Sequence, residues 1–312
     1  MRIIDDYSDG SGAARGASVA MGNFDGVHQG HRALIETATA EPGPTGVVTF
    51  EPHPRRFFQP DAPPFRLTTP EEKARILAAL KVDVLVNLPF DADMAGMEPE
   101  DFVQRVLVSG LGLSHVVVGS DFRFGKRRRG DVAMLREIGN ESGMGVTIHE
   151  LIGDDVGEFA STAVRVMVEQ GRCADAARAL GRWHTVSGPV IKGDQRGRDL
   201  GYPTANLAYG EQLVPRFGVY AVWVEVRGGP FAGRHAGVVS LGERPTFGVN
   251  APNFEVHLFD FSGDLYGTEI SVSLVDFLRP EVAYIDAETL IGQMDRDSEQ
   301  ARRVLASARL PT

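Results

Sequence analysis

The stretch ASVAMGNFDGVHQGHRALIETATA, residues 17–40, decides the fold of the first half of the chain. It begins with a short apolar run, continues through a glycine-rich segment and ends in an amphipathic run with helical spacing. This order predicts a buried strand, a tight loop and a helix. Short β-branched runs and longer amphipathic runs alternate as far as residue 180. Such alternation is typical of a parallel sheet that helices cover on both faces.

The second half, beyond residue 181, consists mainly of strand-like runs such as FGVYAVWVEV (217–226) and EISVSLVDFL (269–278). In the latter, apolar residues alternate with Ser271 and Ser273, which is the period of a half-buried antiparallel strand. These runs predict a barrel or a sandwich. Residues 286–308 return to helical spacing, and we expect this helix to pack against the barrel. Its predicted apolar stripe comprises Leu290, Ile291, Met294, Ala301, Val304 and Leu305.

The composition excludes several classes of protein. Hydrophobic residues make up 43% and charged residues 24% of the 312 residues, which excludes a mainly disordered chain. The single cysteine, Cys173, cannot form an intramolecular disulfide and is expected to pack in a helix. A formal net charge of -10 argues against a nucleic-acid partner. No apolar run resembles a membrane span or a secretory signal, so we expect a cytoplasmic protein without a membrane partner; a homo-oligomer stays open.

The segment MGNFDGVHQGH (21–31) carries the first candidate site. Its glycines allow the backbone to approach a ligand closely, and the amides at a helix N-terminus favour phosphate. His28 and His31 lie three residues apart, so we expect them on one helix face, where two imidazoles could stabilise charge on a nucleotide's phosphates. An isolated HxxH is more often a turn with two ordinary histidines, and it lacks the spacing of a zinc helix.

The longer string FDGVHQGH (24–31) resembles the signature of bacterial bifunctional riboflavin kinase/FMN adenylyltransferases. The resemblance continues through four more segments: TFEPHP (49–54), LTTPEEK (67–73), VGSDFRFGKRRRGD (118–131) and STAVR (161–165). It implies a Rossmann-like nucleotidyltransferase domain over residues 1–182, with a parallel sheet and helices. It also implies a riboflavin kinase domain over residues 183–312, an antiparallel β-barrel with a C-terminal helix.

By this resemblance, His28 and His31 stabilise the transition state at the α-phosphate of ATP, and Arg165 is catalytic beside them. Ser161 and Thr162 would hold the triphosphate from the start of a helix, where a hydroxyl can cap and an arginine one turn later offers a bidentate fork. The resemblance also assigns nucleotide or flavin binding to Gly22, Asn23, Phe24, Asp25, Gly26, Gly30, Asp121, Phe122 and Phe124.

Two features of this half limit those expectations. Ala160 and Ala163 stand where the family more often has a serine and an arginine, which lowers the expected affinity for triphosphate. The basic run Lys126–Arg129 is expected to face water, because charge runs usually do, although it could also steer ATP or FMN.

The segment KGDQRGRDLGYPTANL (192–207) carries the second candidate site. Thr204 and Asn206 offer neutral oxygen donors of the kind that Mg²⁺ accepts when a nucleotide supplies the other ligands. The segment resembles the riboflavin kinase signature. The positions expected to shape its loop and bind the nucleotide or flavin are Gly193, Gly197, Arg198, Gly201 and Pro203.

The resemblance also supplies a base for this second site. Glu255 lies in a predicted strand, shares a face with His257 and Phe259, and matches the family glutamate proposed to deprotonate the flavin's ribityl hydroxyl. Arg279 is expected to contact the flavin or close the site. The implied reactions convert riboflavin to FMN and FMN to FAD, with ATP as co-substrate and Mg²⁺ as cofactor.

Three other interpretations stay open from the sequence. One is a riboflavin kinase whose adenylyltransferase is weak or lost, as Ala160 and Ala163 suggest. Another is a flavin or nucleotide sensor that binds without catalysis, which the intact catalytic side chains disfavour. A nucleic-acid role rests only on residues 126–129 and ranks third.

Overall fold

The computed structural model describes residues 1–7, 12–154, 157–193, 202–208, 210–243, 252–282 and 286–310. The chain divides into two compact units. The first comprises Met1–Pro63 and Pro70–Ala160, and the second comprises Pro64–Thr69 and Ser161–Thr312. The boundary at residue 182 between two catalytic domains stays a prediction.

The first unit is built on a six-stranded parallel sheet, as the alternation of apolar runs predicted. The strand order is β1-β4-β3-β2-β5-β6. The strands are β1 Arg2–Ile4, β2 Ser18–Met21, β3 Thr45–Glu51, β4 Val84–Pro89, β5 His115–Gly119 and β6 Gly145–His149, and a small hairpin follows with β7 Gly153–Asp154 and β8 Gly157–Glu158. The helices are α1 Gln29–Thr39, α2 Pro54–Phe58, α3 Pro70–Ala79, α4 Ala92–Gly96, α5 Pro99–Asp101, which continues as a π-helix over Phe102–Gly110, and α6 Val132–Glu141.

Apolar side chains fill both faces of this sheet. On β5, an interior strand of the sheet, Val116 and Val118 belong to one buried cluster and Val117 to another. All three are fully buried. A strand covered on both sides has no polar face, which is why these strands read as continuous apolar runs in the sequence.

The second unit contains a closed antiparallel barrel, with the strand order β10-β13-β12-β11-β14-β9. Two helices precede it, and the second ends at Gly181 in a left-handed conformation, as the sequence predicted. The strands are β9 His184–Ile191, β10 Ala205–Leu207, β11 Gly218–Val226, β12 Gly233–Glu243, β13 Pro252–Leu258 and β14 Glu269–Arg279. The helices are α7 Ser161–Glu169, α8 Cys173–Leu180 and α9 Ala287–Ser307.

The alternation on β14 is confirmed, but its serine face is not open to water. Ser271 is only 2% exposed. Its hydroxyl lies 2.8 Å from the hydroxyl of Ser187 and accepts hydrogen bonds from the guanidinium of Arg227. Neighbouring polar side chains therefore cover a face that a two-residue period alone assigns to solvent.

The C-terminal helix α9 packs on the outside of the barrel, as predicted. Ala301 and Leu305 form a buried cluster with Phe259 and Val275. Asp286 caps the helix by accepting a hydrogen bond from the backbone amide of Thr289 at 2.7 Å. Within the described ranges, no helix has both the length and the apolarity needed to cross a bilayer.

Candidate active sites

The loop between β2 and α1 lies at the carboxyl end of the parallel sheet, where open α/β folds place ligands. The amide of Gly22 donates to Val48 of the neighbouring strand at 3.1 Å, which fixes the start of the loop. Phe24 and Val27 have φ values of 51° and 42°, a left-handed conformation that is unfavourable for bulky residues. Both side chains are fully buried, so packing holds this backbone in place. Asp25 and Gly26 are buried in the same loop.

The sequence predicted His28 on the same helix face as His31. This prediction is wrong, because His28 lies at the N-cap of α1. Its backbone is extended, and its Nδ1 accepts a hydrogen bond from the amide of His31 at 3.3 Å. The two imidazole rings nevertheless stack, with centroids 3.6 Å apart and an interplanar angle of 23°. Because Nδ1 uses its lone pair as an acceptor, the ring proton of His28 resides on Nε2, which can donate to a ligand oxygen.

Gly30 makes room for this arrangement. A Cβ at this position would lie 2.9 Å from the carbonyl oxygen of Phe159 and 3.0 Å from Nδ1 of His28. A larger residue would therefore push the His28 ring out of its capping position. Gly30 therefore leaves room for the ring of His28, and it also allows a ligand to approach the backbone.

The segment after β5 brings Asp121, Phe122 and Phe124 to the same edge of the sheet. Asp121 is exposed, and Phe122 is half-buried. Phe124 is 6% exposed and stacks on Phe122 with ring centroids 5.8 Å apart. Phe124 is part of the apolar core, so its side chain anchors this segment to the core. Flavin binding by these three residues stays a prediction.

The basic run next to this segment is exposed to water. Lys126 and Arg129 both pair with Glu98, at 2.8 and 3.0 Å. The hydrogen bond from Lys126 is the main cause that lowers the pKa of Glu98. Arg127 and Arg128 have positive φ values of 55° and 58°. The run forms a charged surface turn.

Sequence reasoning missed an aromatic surface at this edge of the sheet. Phe57 and Phe58 are 37% and 65% exposed, and both rings contact Phe90 at centroid distances of 5.5 and 5.8 Å. Three contacting rings at the edge where open α/β folds place ligands offer flat apolar area to a planar ring system. The signal in the sequence is the pair FF right after TFEPHP.

A second missed residue is Lys73 in helix α3. Its side chain is fully buried, and its ammonium lies 3.3 Å from the backbone oxygen of Asn23. The sequence signal is its place on the apolar stripe of the helix, three and four residues before Ile76 and Leu77.

Ser161, Thr162 and Arg165 lie on α7 in the second unit. The helix begins at Ser161, so the two hydroxyl residues occupy its first turn and Ala160 precedes it. Arg165 lies one turn later, and its Nε donates to the backbone oxygen of Phe65 at 2.9 Å. The start of the helix is confirmed, and the binding of triphosphate stays a prediction.

Asn206 and Glu255 form the centre of the second candidate site. Asn206 in β10 lies opposite Glu255 in β13 in the strand register, so the two side chains share the outer face of the barrel. Asn206 is 5% exposed, Glu255 is half-buried, and Thr204 lies just before the strand. The side-chain amide of Asn253 donates to Oε1 of Glu255 at 2.7 Å, which fixes the orientation of the carboxylate.

Neighbouring residues hold the segment that contains Asn206. His257 donates from Nδ1 to the backbone oxygen of Pro203 at 2.9 Å. The Tyr202 hydroxyl donates to Asp295 of α9. Burial, followed by Asp295, raises the pKa of Tyr202, so the phenol stays a donor. Gly193 is essential here because a Cβ would overlap the Asn206 amide. The predicted loop positions Gly197, Arg198 and Gly201 lie outside the described residues.

Arg279 binds α9. Its guanidinium forms a bidentate pair with the buried carboxylate of Asp297, with Nε–O distances of 2.9 and 3.0 Å. Gln293 donates to the same carboxylate at 2.8 Å. Arg279 thus joins the end of β14 to the C-terminal helix, and its predicted contact with the flavin stays a prediction.

Cys173 is the first residue of α8 and is buried. Burial, followed by the charge of Asp276, raises the pKa of its thiol to about 12. A thiol that stays protonated is a poor nucleophile. The expected packing role in a helix is confirmed.

The second site fits a magnesium ion by the chemistry of its donors. Thr204 and Asn206 present hydroxyl and amide oxygens just before and within β10, and Mg²⁺ prefers oxygen ligands from few side chains together with phosphates. In the described part of the chain, no three His, Cys, Asp or Glu side chains converge as a metal site.

Comparisons with known proteins match each half of the chain to a family model. A family model described as FAD synthetase matches residues 11–163, and one described as riboflavin kinase matches residues 180–305. A bifunctional riboflavin kinase/FMN adenylyltransferase of Escherichia coli K12 is 38% identical over 292 residues, 92% of each chain. The protein of that description from Pseudomonas fluorescens is 37% identical over 297 residues, 94% of each chain.

A solved structure resembles nearly the whole chain. It is described as a macrolide-efflux protein from Streptococcus pneumoniae, with a TM-score of 0.85 and 28% identity over 97% of this chain and 99% of its own. The two family models follow one another along the chain, and the relatives align over nearly all of it. This chain therefore belongs to the family of bifunctional riboflavin kinase/FMN adenylyltransferases, the enzymes that make flavin cofactors.

Proposed function

We propose that the chain makes FAD from riboflavin in two steps, with His28 and His31 acting in one and Glu255 in the other. ATP first phosphorylates riboflavin to FMN at the barrel, and a second ATP then transfers AMP to FMN, which yields FAD and pyrophosphate. The observation that carries this proposal is the stacked histidine pair at the start of α1 in a chain that also pairs Asn206 with Glu255.

In the adenylyl transfer, an oxygen of the FMN phosphate attacks the α-phosphorus of ATP. The bond from that phosphorus to the oxygen it shares with the β-phosphorus breaks, and pyrophosphate leaves. Negative charge grows on the α-phosphate oxygens as this happens. Nε2 of His28 donates to one of these oxygens, and the first amides of α1 add the positive end of the helix dipole. His31, stacked on His28, holds that ring in place and adds a second imidazole.

In the phosphorylation, Glu255 accepts the proton of the ribityl hydroxyl. The oxygen then attacks the γ-phosphorus of ATP in line, and ADP leaves. Asn253 donates a hydrogen bond to Oε1 of this carboxylate and fixes its orientation. Thr204 and Asn206 would hold Mg²⁺, which when bound neutralises charge on the β- and γ-phosphates.

A second candidate function is a kinase with a weak adenylyltransferase. Ala160 occupies the position before α7, so no side-chain oxygen is available there to cap the helix or bind an anion. The absence of this oxygen would lower only the affinity for triphosphate. The stacked histidine pair argues against loss of the adenylyltransferase activity.

A product assay separates these functions. Purified protein is incubated with MgATP and inorganic pyrophosphatase, once with riboflavin and once with FMN, and the flavins are separated by chromatography. We expect FMN and FAD from riboflavin, and FAD from FMN. FMN without FAD would support the kinase alone. Flavin binding without either product would indicate a sensor and refute the proposal.

A further inference from the structure

A charged side chain lies buried beneath the loop that carries His28. Lys73 in α3 is 1% exposed. Its Nζ lies 2.7 Å from Oε1 of Glu51, 3.2 Å from the hydroxyl of Thr49 and 3.3 Å from the backbone oxygen of Asn23. A buried ammonium is unfavourable unless charged and polar partners surround it, and these three oxygens supply them.

The bonds to Asn23 connect this cluster to the candidate site. The backbone oxygen of Asn23 also accepts a hydrogen bond from the hydroxyl of Thr49 at 2.9 Å. The next residue, Phe24, has a positive φ and is fully buried. Two donors therefore hold the loop at the residue before its unfavourable backbone conformation begins.

The ammonium of Lys73 does more than fill the interior. An apolar side chain of the same length could occupy the same space, but the Asn23 oxygen would then keep only the Thr49 hydroxyl of these two donors. The ammonium draws Glu51 at the end of β3 and Asn23 in the loop toward one point. The loop that follows β2 and the end of the neighbouring strand β3 are thereby tied together.

We infer that Lys73 is a positioning residue for adenylyl transfer, acting through the Asn23 carbonyl to set the loop that places Nε2 of His28. The inference rests on the proposed function of the histidine pair. Lys73 itself contacts no reacting atom. Without its ammonium, the loop relaxes and the His28 donor moves away from the α-phosphate oxygen.

The test removes the ammonium and neutralises the carboxylate that faces it. Lys73→Met alone removes the cation that faces the Glu51 carboxylate and lowers stability, whereas Lys73→Met with Glu51→Gln leaves a neutral pair of similar size. Arg75→Met is the matched control, since it removes from the same helix a more exposed cation, which is paired with Glu72 and does not contact the loop residue Asn23 in any bond that the described structure gives. FMN formation from riboflavin in the same chain reports on the integrity of the second unit.

We expect the double variant to recover the unfolding temperature of the parent but not its rate of FAD formation. Its kcat should fall by about 100-fold, because a displacement of a catalytic group by an ångström has an effect of that size. The KM for FMN and the rate of FMN formation should stay unchanged, as should all activities of Arg75→Met. Recovery of kcat together with the unfolding temperature would overturn the inference and leave Lys73 a purely structural residue.

A spectroscopic measurement tests the positioning without relying on activity. The chain has eight histidines, and their Cε1–H resonances can be observed after 13C labelling, with that of His28 assigned from His28→Asn. In the double variant, the His28 and His31 resonances should shift while that of His184 in the barrel does not. Unchanged His28 and His31 resonances would overturn the inference. Shifted resonances in a protein whose parent makes no FAD would support the positioning role and refute the proposed function instead.

Discussion

At the scale of single residues, His28 uses the two nitrogens of one ring for different purposes. Nδ1 accepts the amide of His31 and caps α1, which leaves the proton on Nε2 for a phosphate oxygen. A capping serine or asparagine also carries a donor, but its shorter side chain would hold that donor closer to the backbone than Nε2 of His28. One side chain therefore both caps α1 and supplies the candidate donor to the phosphate.

Two substitutions at this position separate the two roles. We expect His28→Asn and His28→Ala both to slow FAD formation by about 100- to 1000-fold, the usual effect of removing one donor to a developing anion. Only His28→Ala should lower the free energy of unfolding, by about 1 kcal/mol, because asparagine is a good N-cap and alanine is not. The measurements are FAD formation from FMN and denaturant titration. An asparagine variant with full activity would show that the imidazole is not the donor.

Gly193 supports the second site in a comparable way. A methyl group there would overlap the Asn206 amide, so Gly193→Ala should displace Asn206 and strongly reduce FMN formation. FAD formation from FMN should be unaffected. Gly210→Ala is the control, since its added Cβ meets no atom within 4 Å and its φ is not positive. Equal rates of FMN formation in the two variants would show that the position of Asn206 does not matter.

At the scale of elements, the C-terminal helix α9 is held to the barrel by two ion pairs in different surroundings. The Arg279 and Asp297 side chains are 20% and 6% exposed, whereas those of Arg302 and Asp260 are 49% and 77% exposed. Ion pairs in water contribute little because solvent screens them, but breaking a buried pair leaves an uncompensated charge. The two pairs allow the same change to be compared on one helix.

We expect Asp297→Asn to lower the free energy of unfolding of the second unit by about 3 kcal/mol, the lower end for a broken buried pair. Asp260→Asn should leave it nearly unchanged, and asparagine tolerates the left-handed backbone at that position. Tryptophan fluorescence during a urea titration measures this directly, because Trp183 and Trp223 pack against the cluster between α9 and the barrel. Equal effects of the two substitutions would contradict the argument from burial.

The elements also show what periodicity in a sequence can and cannot predict. Five of the six strands of the sheet, α1, and the part of the α9 stripe formed by Ala301, Val304 and Leu305 follow from patterns of local spacing. Strand β1 does not, because Arg2–Ile4 is too short to show a period. The cap at His28 depends on backbone angles, and the pairing of Asn206 with Glu255 depends on strand register, neither of which spacing determines. Lys73 appears in the sequence as one more charged helix residue, and only the fold shows what surrounds it.

At the scale of the whole molecule, the described units are not consecutive in sequence. Pro64–Thr69 belongs to the second unit, although it lies between segments of the first. The amide of Leu213 donates to the carbonyl of Arg66 at 2.7 Å, and Phe65 and Leu67 are almost fully buried. No local pattern predicts this, because the short segment has no periodicity of its own. The histidine pair belongs to the first unit and the Asn206–Glu255 pair to the second.

This separation predicts that two variant chains, each lacking one of the two activities, can complement one another in solution. His28→Asn should make FMN but not FAD from riboflavin, and Asn206→Ala should make FAD from FMN but no FMN. A mixture of the two variants with riboflavin and MgATP should form FAD after a lag, because FMN must first accumulate and then reach the other chain. Both substitutions in one chain should give no FAD at any time. Absence of FAD from the mixture, while each variant keeps its remaining activity, would mean that FMN is not released from the chain that makes it.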